Sequence, residues 1–175
     1  HSVIQHLGAS LVTNSVLTEL TLDHCGITDE DLRLLLPSLV ANSGITMLSL
    51  KGNKLSMDGG ELLSTFLTRR PDVISLNINA NRIENKGAEA LAEGIKTHRS
   101  LAHLQLKSNN IAEKGLCALA DAFAESHSIK SVALWGNRFN DGACAAFYQH
   151  KARIDAIEMD IELYVVDGVC MVAQK

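Results

Sequence analysis

The sequence is poor in the features that define several functional classes. Its 175 residues include one tryptophan, two prolines and four cysteines, and aromatic residues make up only 4%. No apolar run reaches the length of a membrane span. The net charge of −4, from 16 basic and 20 acidic residues, argues against sequence-independent binding to nucleic acids or anionic membranes. We therefore expect neither a nucleic acid nor a membrane among the partners of this chain.

Motifs of catalysis and metal binding are also missing. The seven histidines have no neighbouring Glu-rich or Cys-rich motif, and the cysteines include no Cys-x-x-Cys pair. A Gly-rich phosphate loop and a nucleophile elbow are absent as well. These absences predict a non-enzymatic protein that needs no metal, no cofactor and no small-molecule substrate.

The cysteines favour a reducing compartment. They are widely separated in the sequence, and free thiols are the simplest interpretation of their spacing. The sequence has no Asn-x-Ser/Thr acceptor for glycosylation, which points the same way. We expect a cytoplasmic location. The four cysteines are Cys25, Cys117, Cys144 and Cys170.

A pattern of apolar residues recurs every 28 residues along the chain. Each occurrence follows the form L-x-x-L-x-L-x-x-N/C-x-L, as in the segment from Leu101 to Ile111. The fourth and sixth places lie two residues apart, so both side chains fall on one face of a strand. After the eleventh place the apolar spacing becomes helical. The first places of these occurrences are Leu17, Ile45, Val73, Leu101 and Ile129.

Each repeat is therefore predicted to be one strand followed by one helix. A single unit of this kind cannot bury its apolar face, so neighbouring units must stack. The predicted fold is an α/β leucine-rich-repeat solenoid, a curved horseshoe arc with a parallel sheet on the concave face, helices on the convex face and a C-terminal β-hairpin cap. The strands are expected near residues 19–22, 47–50, 75–78, 103–106 and 131–134.

We expect residues 1–175 to form a single domain. The first unit lacks its strand, and the chain does not begin with Met. Both observations predict a fragment of a longer protein, whose targeting signal could have been lost. The full repeats start at residues 17, 45, 73, 101 and 129, between a partial repeat at 3–16 and a C-terminal strand with hairpin cap at 154–175.

Two segments depart from the regular pattern. Near the C-terminus, Ile154, Ile157 and Met159 repeat the strand pattern after 25 residues and not after 28. Asp167-Gly168 is a strong two-residue hairpin signal. In the second unit, Pro37 lies inside a helical pattern and removes one backbone hydrogen bond. We expect a bend or a broken turn there.

A 28-residue repeat with a full helix, and with Asn or Cys at the turn, resembles the ribonuclease-inhibitor-like class of leucine-rich repeats over residues 3–160. That class includes the ribonuclease inhibitor, the sensor segments of cytosolic innate-immune receptors and the activator of the nuclear-transport GTPase. The resemblance implies a module that binds a protein partner through its concave strand face and adjoining loops.

The same resemblance leaves two alternatives open, because fold resemblance alone does not fix function. One is a GTPase-activating module, in which Arg82, Asn110 or Arg138 lies on a loop suited to insertion into a nucleotide site. The other is a sensor or spacer domain of a larger cytosolic receptor. In each case we expect a monomer.

The ninth place of every repeat is interpreted as structural. It lies where the strand turns away and leaves backbone groups without partners, and a buried amide can satisfy them. Cysteine at this place is a small apolar substitute. The predicted turn ladder consists of Cys25, Asn53, Asn81, Asn109 and Asn137.

The third, fifth and seventh places of each strand point away from the core and form the candidate partner-binding surface. Its middle is polar, uncharged and rich in amides, which suits hydrogen bonding to a protein. The candidate residues are Glu19, Asp23, Met47, Lys51, Asn77, Asn79, His103, Gln105, Lys107 and Trp135, together with Arg138 on the adjoining loop.

Trp135 is the most specific of these candidates. It is the only tryptophan and sits near Arg138, and both residue types are enriched at binding hot spots. Alternatively, Trp135 packs over the C-terminal hairpin against Tyr164 as part of the cap.

A band of cations on the same side is either ordinary solvated charge or a patch for an acidic partner. The band consists of Lys51, Lys54, Arg82, Lys107 and Arg138.

Overall fold

The structure is a computed structural model that describes residues 2–175, with side chains from Val3 onward. Helices and short strands alternate along the chain as the repeats predict. The helices are α1 (Ser2–Thr13), α2 (Asp29–Ala41), α3 (Met57–Arg69), α4 (Glu84–Thr97), α5 (Glu113–Glu125), α6 (Asp141–Gln149) and α7 (Lys151–Ile154). The strands are β1 (Glu19–Thr21), β2 (Met47–Ser49), β3 (Ser75–Asn77), β4 (His103–Gln105), β5 (Ser131–Ala133), β6 (Glu158–Met159), β7 (Ile161–Val166) and β8 (Val169–Gln174).

Strands β1 to β6 form one parallel sheet in chain order. Leu20 pairs with Leu48, Leu48 with Leu76, and Leu76 with Leu104, so neighbouring strands align repeat to repeat without slipping. These fourth-place side chains are at most 8% exposed, and the sixth-place Leu106 is fully buried. The leucine-rich-repeat solenoid and its predicted parallel strands are confirmed. Each predicted strand is one residue shorter than expected.

The core lies between the sheet and the inner faces of the helices. In α4 the residues at helical spacing, Leu91, Ala92 and Ile95, are fully buried. Helices α3 and α4 approach closely where two glycines meet. A Cβ added to Gly60 would lie 2.5 Å from the Gly87 Cα. Glycine is therefore required for this helix contact.

Helix α2 runs without a break through Pro37. The broken turn that we considered from the sequence is wrong, because the helix continues from Asp29 to Ala41. Pro37 is exposed, and so is Arg33, whose carbonyl would have accepted the missing hydrogen bond. Water can bind that carbonyl instead, so the proline removes one hydrogen bond without ending the helix.

The start of α2 carries a capping box. The Asp31 N–H donates to the Thr28 hydroxyl at 3.3 Å, and the Thr28 N–H donates to the Asp31 carboxylate at 3.0 Å. The backbone hydrogen bond from Thr28, and then its hydroxyl, lower the pKa of Asp31. The carboxylate is therefore used locally to hold the helix N-terminus.

A second polar column, which the sequence analysis missed, fixes the loops that lead from each helix into the next strand. Asn42 Oδ1 accepts hydrogen bonds from the backbone N–H groups two and three residues ahead, both at 2.9 Å. His98 Nδ1 does the same at 3.2 and 2.9 Å, and Ser126 Oγ at 3.3 Å. The regular spacing of this column in the sequence was the signal that could have revealed it. Its members are Asn14, Asn42, Arg70, His98 and Ser126.

Arg70 also fixes a loop between a helix and a strand, but it does so as a buried, charged donor. The residue is 4% exposed, and its guanidinium donates to the carbonyls of Leu39 at 2.7 Å and Ile45 at 2.6 Å, and to that of Asn42. Asp72 neutralises it at 2.8 Å, and the hydrogen bonds from Arg70 lower the pKa of this carboxyl. The arginine thereby fastens its own loop to the preceding one.

We expect His98→Ala to lower the free energy of unfolding by about 2 kcal/mol, because it leaves buried backbone groups without partners. His98 Nδ1 accepts from Ser100 and Leu101, and its Nε2–H donates to the Arg70 carbonyl at 3.0 Å. His98→Asn is the matched variant, since Asn42 makes the same two acceptor bonds. It should lose less than half as much in urea unfolding. Equal losses for the two variants would contradict this role of the side chain.

The register of the last parallel strand differs from the sequence prediction. Val132 pairs with Met159, so Met159 takes the fourth place of the final repeat and Ile161 the sixth. The sequence had assigned Ile157 and Met159 to these places. Both are buried along with Ile154 and Ile161, so apolar alternation alone could not select the register.

The predicted C-terminal hairpin is confirmed. Strands β7 and β8 form an antiparallel pair, separate from the parallel sheet. The turn residues Asp167 and Gly168 have φ values of 50° and 80°, as a two-residue hairpin turn of type I′ requires. On one hairpin face, Leu163 and Val172 pack against the core. The hairpin therefore covers the end of the solenoid beside α6.

Candidate functional site

The concave face carries one continuous line of side chains across the sheet. We call the aligned third-place residues the third-place row. Adjacent parallel strands lie about 4.8 Å apart, so a row that crosses β1 to β6 spans about 24 Å. The row consists of Glu19, Met47, Ser75, His103, Ser131 and Glu158, each paired with the next.

This row is accessible to a partner. Glu19, His103 and Glu158 are exposed, and Met47 is 37% exposed although it is apolar. His103 Nδ1 lies 2.7 Å from the Ser131 hydroxyl, which orients its ring along the row. Beside the row, Gln105 is exposed and Asn77 is half-buried. Shallow hollows along this face include one around Met47 and Asn77 and another around Gln105 and Asp160.

Asn79 is not displayed as the sequence analysis expected. It is 8% exposed, its amide donates to Gln105 Oε1 at 2.9 Å, and its Oδ1 accepts from the Lys107 N–H at 2.8 Å. These bonds hold adjacent repeats together. Asn79 is therefore a support for the surface and does not belong to its accessible part.

Carboxylates hold the loops at both ends of the concave face. Near the first strand, Asp23 Oδ1 accepts from the Ser49 hydroxyl at 2.5 Å and the Lys51 N–H at 3.0 Å. At the other end, Asp160 accepts from the backbone N–H groups of Leu134 at 2.7 Å and Trp135 at 3.1 Å. The sequence analysis missed Asp160 because the predicted register of the last parallel strand differs from the observed one by two residues.

Trp135 lies beside Asp160, at the C-terminal end of the concave face. Asp160 holds its backbone and also binds the Lys107 ammonium at 3.3 Å. The residue is 37% exposed. Within residues 3–175 the aromatic contacts join Phe123, Phe139 and Phe147 in the core, and none joins Trp135 to Tyr164. The structure thus brings Trp135 and Lys107 together at one end of the concave face.

Arg138 follows Trp135 in the same loop without forming a cation–π pair with it. For the part of the chain whose side chains are described, the cation–π contact is that of Arg70 over Phe66, at 6.0 Å. Arg82, Asn110 and Arg138 are exposed on successive loops of one rim. Of the band of cations, Lys107 is paired with Asp160. Among described side chains, the ion pairs do not include Lys51, Lys54, Arg82 or Arg138.

The ninth-place asparagines bond inward, to the backbone. Asn53 Nδ2 donates to the Leu22 and Leu50 carbonyls at 2.9 and 2.8 Å, while its Oδ1 accepts from the N–H groups of Cys25 and Ile27 at 3.1 and 2.9 Å. Cys25 itself departs from this column, since it is exposed and its thiol donates to the Asp23 carbonyl at 3.4 Å. Bonds from the side-chain amide to a carbonyl of the preceding repeat recur at Asn81, Asn109 and Asn137.

Neither a metal site nor a membrane-spanning helix is found among the described residues. From residue 2 to residue 175, no group of three or more His, Cys, Asp or Glu side chains is placed to hold a metal ion. No helix within that range combines the length and hydropathy needed to cross a membrane.

The fold and its recurring strand face define the class of this molecule, which is a leucine-rich-repeat protein. A leucine-rich-repeat profile matches residues 97–120. A profile described as the PRAME C-terminal domain matches residues 3–92, just over half of the chain. The chain belongs to the PRAME C-terminal domain family. Its assignment to the ribonuclease-inhibitor-like class remains a prediction.

Comparison with known proteins supports the fold more than the function. No protein of curated function matches the sequence significantly. Among solved structures, 67 chains match. One of them, described as "Leiomodin-1 Actin-Binding Site 2 (ABS2)", has a TM-score of 0.67 and 17% sequence identity, and the match covers 86% of each chain. At this identity the similarity establishes a shared fold.

Proposed function

We propose that this chain is a non-enzymatic module that binds a protein partner through its concave face. The observation that carries the proposal is the third-place row, which runs in register from Glu19 to Glu158 with exposed groups along its length. The side chains that hold the loops, including Asn79 and Asp160, are already bonded internally. The row is therefore a preformed surface, so binding needs little ordering of this chain.

The solved structure with the same fold supports this class of ligand. It is described as an actin-binding site of leiomodin-1, so a fold of this type can present a surface to another protein. Actin binding is here a property of leiomodin-1 and is not carried over to the present chain. For the present chain, the partner must be characterised from the chemistry of its own surface.

The row favours a partner segment with cations at two points. Glu19 and Glu158 lie at opposite ends, are exposed, and take part in none of the ion pairs among described side chains. Between them are an exposed methionine, two serines and a histidine. We propose a segment that crosses the strands, with basic groups about 24 Å apart and hydrogen-bonding groups between them.

Charge reversal at both ends of the row tests this proposal. The double variant Glu19→Lys/Glu158→Lys should weaken binding of the partner at least about tenfold, because each new cation faces a cation. The matched control is Glu61→Lys/Glu89→Lys, which makes the same charge change at exposed positions on helices α3 and α4. The partner would be captured from cell extract by cross-linking and then titrated in purified form.

The two double variants give opposite expectations. Loss of binding by the row variant alone, with the same melting temperature for both proteins, is the expected result. If the helix variant loses binding and the row variant keeps it, the convex side is the interface and the proposal is wrong. Binding should also weaken as salt rises from low to physiological concentration, because the pairs are exposed.

A further inference from the structure

Two cysteines lie on adjoining elements at the C-terminal end of the solenoid, away from the concave row. Cys144 lies on α6 and is 3% exposed. Cys170 lies on β8, which packs against α6. Alternation along the strands puts Cys170 on the hairpin face of Leu163 and Val172, and those two residues pack against the core. Cys170 therefore lies on the hairpin face that packs against the core, next to the buried Cys144 of α6.

The two thiols are neighbours. Burial raises the pKa of Cys144 to about 11, and the nearby Cys170 adds to this rise. Both cysteines are free, and Cys170 is partly accessible to solvent. Of the remaining thiols, Cys25 is on an exposed loop, and the Cys117 thiol donates to the Gly142 carbonyl of α6 at 3.8 Å.

We propose that Cys144 and Cys170 are a reversible oxidation site that forms an intramolecular disulfide between α6 and the hairpin. The co-reactant is a small-molecule disulfide such as oxidised glutathione. The Cys170 thiolate attacks one of its sulfurs, forms a mixed disulfide and releases one glutathione thiolate. Deprotonated Cys144 then attacks the Cys170 sulfur and displaces the second. Two protein thiols are oxidised, one glutathione disulfide is reduced to two thiols, and both steps balance.

The accessible Cys170 acts first and the buried Cys144 resolves the intermediate. Because Cys144 holds its proton at neutral pH, the second step depends on its small thiolate fraction. The rate of closure should therefore rise steadily between pH 7 and pH 9. The order of steps also predicts that a mixed disulfide at Cys170 precedes the internal bond.

The disulfide would restrain the end of the concave face. It closes a loop of about 25 residues, which limits the unfolded chain. That loop contains Asp160, which holds the backbone of Trp135 and the Lys107 side chain. Oxidation would thus fix the hairpin and the segment that positions these two residues.

The test is oxidation of the native chain with a graded series of reduced and oxidised glutathione. Peptide mapping should show one product that has lost two hydrogen atoms and links Cys144 to Cys170. The melting temperature should rise by about 6 °C or more on oxidation. Cys117→Ser should behave as the parent protein, whereas Cys170→Ser should form no internal bond and show no such rise.

Other results would overturn the proposal. These are a stable mixed disulfide at Cys170 that never resolves in the folded chain, a link to Cys25 or Cys117, or a melting temperature that stays constant or falls on oxidation. Cys170→Ser is the principal variant because this residue is only partly buried. Folding of each reduced variant is checked by its own melting curve.

Discussion

Replacing Trp135 with alanine is expected to weaken partner binding by about 2 kcal/mol or more while hardly changing thermal stability. Trp135 is 37% exposed at the end of the concave face, and its loop is held by Asp160. A rigid aromatic group supplies apolar area to an interface at small entropic cost. Lys107 lies in the same cluster through its ion pair with Asp160.

The other interpretation of Trp135 makes the reverse prediction. If the ring belongs to the C-terminal cap, its truncation should cost about 3 to 5 kcal/mol of stability and alter affinity only through unfolding. Affinity by titration calorimetry and stability by thermal melting separate the two interpretations. A destabilised Trp135→Ala protein that binds normally when folded would remove this residue from the proposed interface. Tyr148→Ala, which truncates an exposed aromatic residue on helix α6 outside the concave face, controls for surface truncation.

Gly60→Ala is expected to lower the free energy of unfolding by about 3 kcal/mol and the melting temperature by about 6 to 12 °C. The new Cβ would lie 2.5 Å from the Gly87 Cα and 2.9 Å from its carbonyl carbon and oxygen. These are backbone atoms, so α3 and α4 must separate to admit the methyl group. That separation outweighs the gain of about 1 kcal/mol that alanine brings to a helix.

Gly94→Ala is the matched control for Gly60→Ala. A Cβ at Gly94, on α4, would approach the Ser64 hydroxyl at 3.0 Å. If this hydroxyl rotates away it loses its hydrogen bond to the Ala90 carbonyl, and the helix propensity of alanine offsets that loss. We expect this variant to change stability by less than about 1 kcal/mol in either direction. Chemical denaturation of both variants provides the comparison. A neutral Gly60→Ala would show that the two helices are not held as closely as the structure has them.

The sequence was sufficient to predict the sheet because each repeat carries the same information. The apolar alternation within a strand sets the buried face, and the constant repeat length sets the register. Leu48 therefore stands between Leu20 and Leu76 as predicted. At the C-terminal end this information fails, since Ile157, Met159 and Ile161 all have to be buried and the repeat length changes. Local alternation then permits more than one register.

The candidate surface was predicted less well than the fold. A seventh-place asparagine reads as solvent-facing from its position alone, yet Asn79 turns into bonds with Gln105 and Lys107. The strand period places Cβ atoms but does not determine how an amide rotates to satisfy neighbouring groups. The column of Arg70 and His98 was missed for another reason: its members differ in chemistry and share only their spacing.

The direction of the side-chain bonds gives the solenoid a polarity. Asn53 donates to a carbonyl 31 residues earlier, Arg70 to carbonyls 25 and 31 residues earlier, and His98 to one 28 residues earlier. These donors satisfy carbonyls of the preceding repeat, whereas the acceptors Asp23 and Asn79 bind backbone N–H groups 28 residues later. Losing a unit on the C-terminal side would leave buried carbonyls of the remaining unit without donors, and losing one on the N-terminal side would leave N–H groups without acceptors. Fraying at each end therefore exposes a different kind of backbone group, and every inner unit is held by both of its neighbours.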